Sequence, residues 1–300
     1  MPSSLLLNHR TAAVPAGARP GPHVHAFHRR LPGYAPTPLR DMPALAAEAG
    51  VRRVLVKDES SRMGLPAFKI LGASWATYRV LCERLGGEPE WATLDDLAAV
   101  VAERLGPLRL VAATDGNHGR AVARMARLLG LRSTIVVPDG TAEARIGAIT
   151  SEGAEVVVSP GTYDDAVTLS AGMAGDRDLI ISDTSWPGYE DPPRWVIEGY
   201  ATIFHEVDEQ AGAAVDVAVV PIGVGALAAA AARHLAGPAR LAGVEPVAAA
   251  CVLESARAGE ITEVPGPHGS IMSGLNAGLP SLVAWPLVSG GFDLFSAAED

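Results

Sequence analysis

The chain has 300 residues, 48% of them apolar and 19% charged, enough for one large domain or two smaller ones around a buried core. A formal net charge of −10 argues against nucleic acid or an anionic membrane as the main partner, while leaving room for a local anion pocket. Cys82 and Cys251 form no CxxC or metal-type spacing and read as two thiols of a reducing compartment.

In chain order, "SLLLNHR" is too short and too quickly interrupted for a signal peptide, and no segment approaches a membrane span. A cytoplasmic chain is expected. Residues 1–33, rich in Pro, Gly and His, read as a surface arm. There "HVHAFH" offers His23, His25 and His28, but no Cys or carboxylate stands near, so no metal site is expected. "TPLRDMPALAAEAG" predicts a helix ended by Gly50, and "RRVLVKDES" a strand.

Next comes "GLPAFKILGASWA", an apolar run with Lys69 in its middle. An unpaired ammonium is costly to bury, and of 24 basic residues only Lys57 and Lys69 are lysine. One reading is a lysine at a helix start whose stem covers apolar surface. The other is an amine kept partly dry for imine formation, which Arg cannot perform because it stays protonated.

Residues 108–183 carry the clearest rhythm. "LRLVAAT" predicts a strand, "GRAVARMARLLG" a helix stopped by Gly130, and "STIVVP" a second strand. "TAEARIGAITSEG" predicts a Thr-capped helix and "AEVVVS" a strand, followed by helix "DAVTLSAGMAG" and strand "DLIISD". A second set follows: one long helix "RWVIEGYATIFHEVDEQAG", strand "VDVAVVPI", an Ala-rich helix and strand "RLAGVEP". β-Branched runs alternating with helices imply parallel strands buried on both faces. The expected architecture is α/β, with two doubly wound parallel-sheet lobes and a cleft between them.

Ligands in such sheets bind beyond the C-terminal strand ends, which singles out three loops. In "PIGVGALA", Gly223 and Gly225 allow backbone N–H groups to approach an anion at a helix N-terminus. No lysine follows and only one GxG is present, so a bare phosphate fits better than a nucleotide. In "ATDGNHGRAVA", Asp115 is placed as a general base, an anchor for a cation or a helix cap, beside Asn117 and His118. Asp183 ends "LIIS" and reads on its own as a cap. An imine-forming lysine, a single-phosphate loop and polar groups for a ring hydroxyl together describe pyridoxal 5′-phosphate.

The stretches "VKDESSRMGLPAFKILGASWA", "ATDGNHGRAVA", "SDTSWPGYEDPPRWVIEGYATI", "PIGVGALA", "FHRRLPGYAPTPL" and "GSIMSGLNAGLPS" resemble the diaminopropionate ammonia-lyase family. That family belongs to the fold-type II pyridoxal-phosphate enzymes, with threonine dehydratase and cysteine synthase. The resemblance covers residues 26–290. It implies Lys69 as the aldimine lysine and the base for the L-isomer, with Asp115 as the second base, for the D-isomer. It further implies Asn117 at the ring hydroxyl, Gly223, Val224, Gly225 and Ala226 around the phosphate, and Asp183 near the substrate amine. Relatives usually carry Ser or Thr where this chain has Asp115, and a carboxylate suits a substrate with a second ammonium. The implied reaction is α,β-elimination of D- and L-2,3-diaminopropionate to pyruvate and two ammonia by a homodimer. The large domain would comprise 1–65 and 186–300, and the small domain 66–185.

One departure stands out. Family members place a Ser, Thr or Cys near the pyridine nitrogen on a glycine-rich stretch beyond the position where this sequence stops, "FDLFSAAED". No residue is assigned that contact, and a truncated chain would leave apolar surface bare on the large-lobe sheet. The alternatives are a β-eliminating lyase acting on serine or threonine, against which Asp115 argues, and a non-catalytic descendant of the fold.

Overall fold

The structure is a computed structural model that describes residues 4–9, 20–114 and 116–300. The elements run β1 (Leu5–Leu7), α1 (His23–His28), β2 (Leu39–Asp41), α2 (Pro43–Ala49), β3 (Leu55–Lys57), α3 (Lys69–Leu85) and α4 (Leu94–Leu105). Next come β4 (Arg109–Ala113), α5 (Asn117–Leu128), β5 (Arg132–Pro138), α6 (Glu143–Thr150), β6 (Glu155–Ser159), α7 (Tyr163–Ala171) and β7 (Asp178–Ile180). The last are α8 (Asp191–Gly199), α9 (Ala201–Ala211), β8 (Val217–Pro221), α10 (Ala226–Leu235), β9 (Arg240–Pro246), α11 (Cys251–Ala258), α12 (Trp285–Gly291) and β10 (Leu294–Ala298).

One four-stranded sheet has the order β6-β5-β4-β7, all parallel. A second has the order β1-β10-β9-β8, in which β10, β9 and β8 are parallel and β1 is antiparallel to β10. A short antiparallel pair, β2-β3, completes the strands. The central strand β4 is buried along Leu110–Ala113 because helices cover both of its faces. At the opposite extreme, β8 is an edge strand whose Val217 and Val219 are 57% and 67% exposed.

Three expectations are corrected, and one further element had no expectation attached. The N-terminal region is no surface arm where it is described: β1 adds to β10, and α1 buries Val24, His25, Phe27 and His28. His28 is fully buried, its Nδ1 2.7 Å from Thr202 Oγ1 and its Nε2 2.9 Å from the Leu71 carbonyl. Thr141 does not cap α6. Its hydroxyl donates back to the Pro138 carbonyl, and Ala142 holds the N-cap position. The long helix after Pro193 is two, α8 and α9, joined at Tyr200, where Ile203 N–H bonds the Tyr200 carbonyl three residues back, tighter than the α-helical spacing. Finally, the helix α4, started by a Thr93–Asp96 capping box, was not anticipated.

The reason for the α8–α9 joint is a close helix crossing. A Cβ on Gly199 would lie 2.5 Å from the Leu71 carbonyl oxygen, and one on Gly72 would lie 2.6 Å from the Tyr200 ring. Only glycines let α3 and α8 approach so nearly.

A buried charge cluster ties α9 to the β2-β3 pair. Arg62 and Glu206 are both fully buried and bond through Nη1–Oε1 at 2.6 Å and Nη2–Oε2 at 2.9 Å. Lys57 adds a 2.6 Å contact to Glu206 Oε2, and the Tyr34 hydroxyl donates to Oε1 at 2.7 Å. Burial pushes the Glu206 carboxyl up, but donation from Arg62, Lys57 and Tyr34 outweighs it and holds the group down to about 2. Lys57, one of the two lysines, thus belongs to the scaffold. Among the described residues no helix is long and apolar enough to cross a membrane.

Candidate active site

A cavity of about 180 Å³ opens where the C-terminal ends of both parallel sheets meet. Its wall includes Lys69, Asn117, Asp183, Gly223, Val224, Gly225 and Ala226. Asp115 lies outside the described residues, although its neighbour Thr114 lines the same space. The other candidate catalytic and cofactor-binding residues all line this one cavity.

Lys69 is the first residue of α3, so its side chain leaves the helix end instead of packing along a face. Its Nζ donates to Asp183 Oδ2 at 2.7 Å. The Phe68 and Tyr200 rings lie 5.8 and 6.0 Å from the amine and stand edge to face to each other. With only 20% of the side chain exposed, the amine sits in a largely dry pocket.

Asp183 is 5% exposed and does not cap a helix. Burial acts to raise its carboxyl, but His118 and Lys69 overcome this and hold it well below the usual carboxylate range. It is therefore a buried anion. Sequence reasoning quoted His118 but gave it no role. The structure buries its ring, with Nε2 2.8 Å from the Ile181 carbonyl and Nδ1 3.8 Å from Asp183 Oδ2. Burial lowers its basicity most, Asp183 opposes this and Lys69 reinforces it. Nε2 faces a carbonyl and so donates, while the buried Nδ1 has no hydrogen-bond partner. The signal for His118 was its place beside Asn117 in the glycine-bracketed loop.

The loop after Asp183 folds on itself: Tyr189 stacks on Trp186 at 4.2 Å, its hydroxyl donating to Ile180 O and accepting from Ser182 N–H. Ser185 bonds Ser281 and accepts from Val283 N–H. Asp183 is thereby held from both sides.

Across the cavity, Gly223–Gly225 joins β8 to α10. Gly225 has φ +97° and occupies the N-cap of a ten-residue helix, so the free backbone N–H groups of that end converge on the cavity. A Cβ on Gly223 would press on Leu275 Cα at 3.2 Å and one on Gly225 on Ala284 at 3.3 Å. The 270s segment packs directly over the loop, and Ser281 N–H binds the Val224 carbonyl. Gly274, Leu275, Asn276 and Ala277, inside the stretch "GSIMSGLNAGLPS", complete the wall, a placement not expected from sequence.

A phosphate-sized cradle of backbone N–H groups, a reactive amine opposite and a buried imidazole with an open nitrogen fit one cofactor. The family model for pyridoxal-phosphate dependent enzymes matches residues 30–300. The chain belongs to this family. Its cofactor is pyridoxal 5′-phosphate and its fold that of the fold-type II enzymes. The diaminopropionate ammonia-lyase of Escherichia coli K12 is 37% identical over 283 residues, 91% of this chain and 70% of that relative. The crystal structure of the Escherichia coli enzyme in complex with D-serine superimposes with a TM-score of 0.91 at 33% identity, covering 99% of this chain and 77% of that one. The same enzyme with an aminoacrylate-PLP azomethine reaction intermediate gives 0.89 at 32%, with the same coverage.

Proposed function

We propose that this chain eliminates ammonia from D- and L-2,3-diaminopropionate, giving with one water pyruvate and two ammonia. The observation that carries the reading is the Asp183 carboxylate, ionised and buried beside Lys69 in the cavity wall. A second ammonium on the substrate is matched by a fixed anion, whereas a hydroxyl substrate would leave that anion poorly compensated.

In this reading the N–H groups of Gly223–Ala226 hold the cofactor phosphate and Asn117 its ring hydroxyl. Lys69 holds the cofactor covalently through Nζ. Bound pyridoxal phosphate supplies an electron sink for the pair left at the substrate α-carbon. Lys69 Nζ, once released, takes the α-proton of the L-isomer, and the Asp115 carboxylate takes that of the D-isomer. Lys69 then returns a proton to the departing β-nitrogen, while Asp183 orients both amines. Phe68 and Tyr200 keep water from the amine. The three-carbon enamine released takes up water to give pyruvate and the second ammonia.

The same reading assigns residues 1–65 with 186–300 to the cofactor-binding lobe and 66–185 to the small lobe. It also takes the protein as a cytoplasmic homodimer, the oligomeric state being decided by light scattering. Pyruvate release is the test of function. Turnover of both diaminopropionate isomers with little from serine is expected, and faster turnover of serine or threonine would overturn the substrate assignment.

A further inference from the structure

Away from the cavity, α9 and α10 assemble a histidine–aspartate–histidine group that elimination does not use. His205 and Asp208 stand three residues apart on α9, hence on one face, and His234 is the penultimate residue of α10. One ligand-capable atom from each lies within 4.8 Å of the other two. The His234 side chain is 1% exposed and its Nε2 is 2.8 Å from Asp208 Oδ2. Its ring meets His205 edge to face with centroids 5.0 Å apart. His25 of α1 stacks parallel to His205 at 5.9 Å and limits where that ring can turn.

We propose that His205, Asp208 and His234 bind one divalent transition metal of the zinc type, fastening the C-terminal end of α10 to α9. The donor chemistry selects this class. Two imidazoles and one carboxylate suit borderline-soft cations, whereas calcium and magnesium demand oxygen-rich shells. Bonds of about 2.0–2.1 Å place tetrahedral ligand atoms about 3.3 Å apart, a spacing that the three atoms, all within 4.8 Å of one another, come near. Asp208 is 42% exposed, which gives the ion a way in and leaves water the fourth position. His25 stays outside the set, because its Nε2 is bonded to the Tyr34 hydroxyl at 2.7 Å. The competing account is a plain His234–Asp208 hydrogen bond with His205 as ring packing.

The site would be structural. The Gly225 turn that faces the cavity lies at the opposite end of the same ten-residue helix, about 15 Å away by helical rise. The inference does not depend on which amino acid the enzyme consumes.

The test uses untagged, pyridoxal-phosphate-loaded protein, stripped with EDTA, incubated with zinc chloride and dialysed. Atomic emission is expected to find one zinc per chain, and the melting temperature to be higher with zinc than with EDTA. His205→Gln and His234→Gln, each checked for native circular dichroism, are expected to lose both the retained zinc and the melting shift. The half-buried His205 makes its variant the decisive one if His234→Gln does not fold. Failure of the wild-type protein to retain zinc, or retention by His205→Gln with an undiminished melting shift, would overturn the proposal.

Discussion

Asp183 and Lys69 form a 2.7 Å ion pair that joins the end of the β7 segment to the first residue of α3. The carboxylate is the more buried partner, at 7% side-chain exposure against 20%. Asp183→Asn keeps the shape and removes the charge. Turnover of both diaminopropionate isomers is expected to fall by at least about 100-fold, the size of effect of a lost positioned charge or proton carrier. A kcat within a few-fold of wild type in a steady-state pyruvate assay would show that this charge is dispensable.

Lys69→Ala is expected to abolish turnover and covalent cofactor retention together, because the amine is both tether and proton carrier. Lys69→Arg restores a cation toward Asp183 but no imine-forming nitrogen, so it is expected to be equally inactive. Borohydride treatment followed by mass spectrometry decides: a cofactor-sized adduct on wild type alone is the expected result.

The acid limb of stability rests on His28 and Glu206. Burial holds His28 down to about 3 from its ordinary 6.5, and the Arg62–Lys57–Tyr34 donors hold Glu206 down to about 2 from 4.5. Both groups bind protons more readily in the unfolded chain, so stability falls as pH drops. The His28 contribution is complete above 6.5 and erodes toward 3; that of Glu206 erodes between 4.5 and 2. Between pH 6.5 and 4.5 the buried Glu245, held up to about 8, acts in the opposite sense, so the check is a comparison. Urea midpoints of His28→Gln are expected to fall less on acidification than those of wild type.

Glu206→Ala leaves the fully buried Arg62 guanidinium with Glu59 as its remaining carboxylate and takes the paired carboxylate from Lys57. A loss of about 3–5 kcal/mol is expected, the usual cost of breaking one side of a buried pair. Lys57→Met, with Arg62 still on Glu206, is expected to cost clearly less. Equal losses in denaturant titrations would contradict the ranking of the two cations.

The parallel strands and the loops at their ends were legible because continuous runs such as "STIVVP" and glycine-flanked turns have strong local causes. The β5, β6 and β8 assignments follow from those runs. Asn117, Asp183 and Gly223–Ala226 drew notice because they lie on loops where topology places ligands, and Lys69 because it is a lone amine in an apolar run; all of them line the cavity. What was missed is non-local. The packing of β1 on β10 joins residues nearly 300 apart, and the segment from Gly274 to Ala277 becomes cavity wall by packing over the glycine loop, some 50 residues earlier in the chain. The α8–α9 joint escaped notice because its cause, Leu71, lies on another helix. The His205–Asp208–His234 group likewise needs two helices to be seen; the alternating histidines of α1 drew attention instead.

The meeting of Gly72 with Gly199 also fixes where the chemistry happens. Gly72 is one turn beyond Lys69 on α3, so the depth at which α3 seats against α8 is also the depth at which the amine enters the cavity. Two hydrogens in place of methyl groups act as a gauge block for the reactive nitrogen. Gly199→Ala, although remote from the ligands, would lift the lysine's helix bodily, and a shift of about 1 Å in a reacting group can cost about 100-fold in rate.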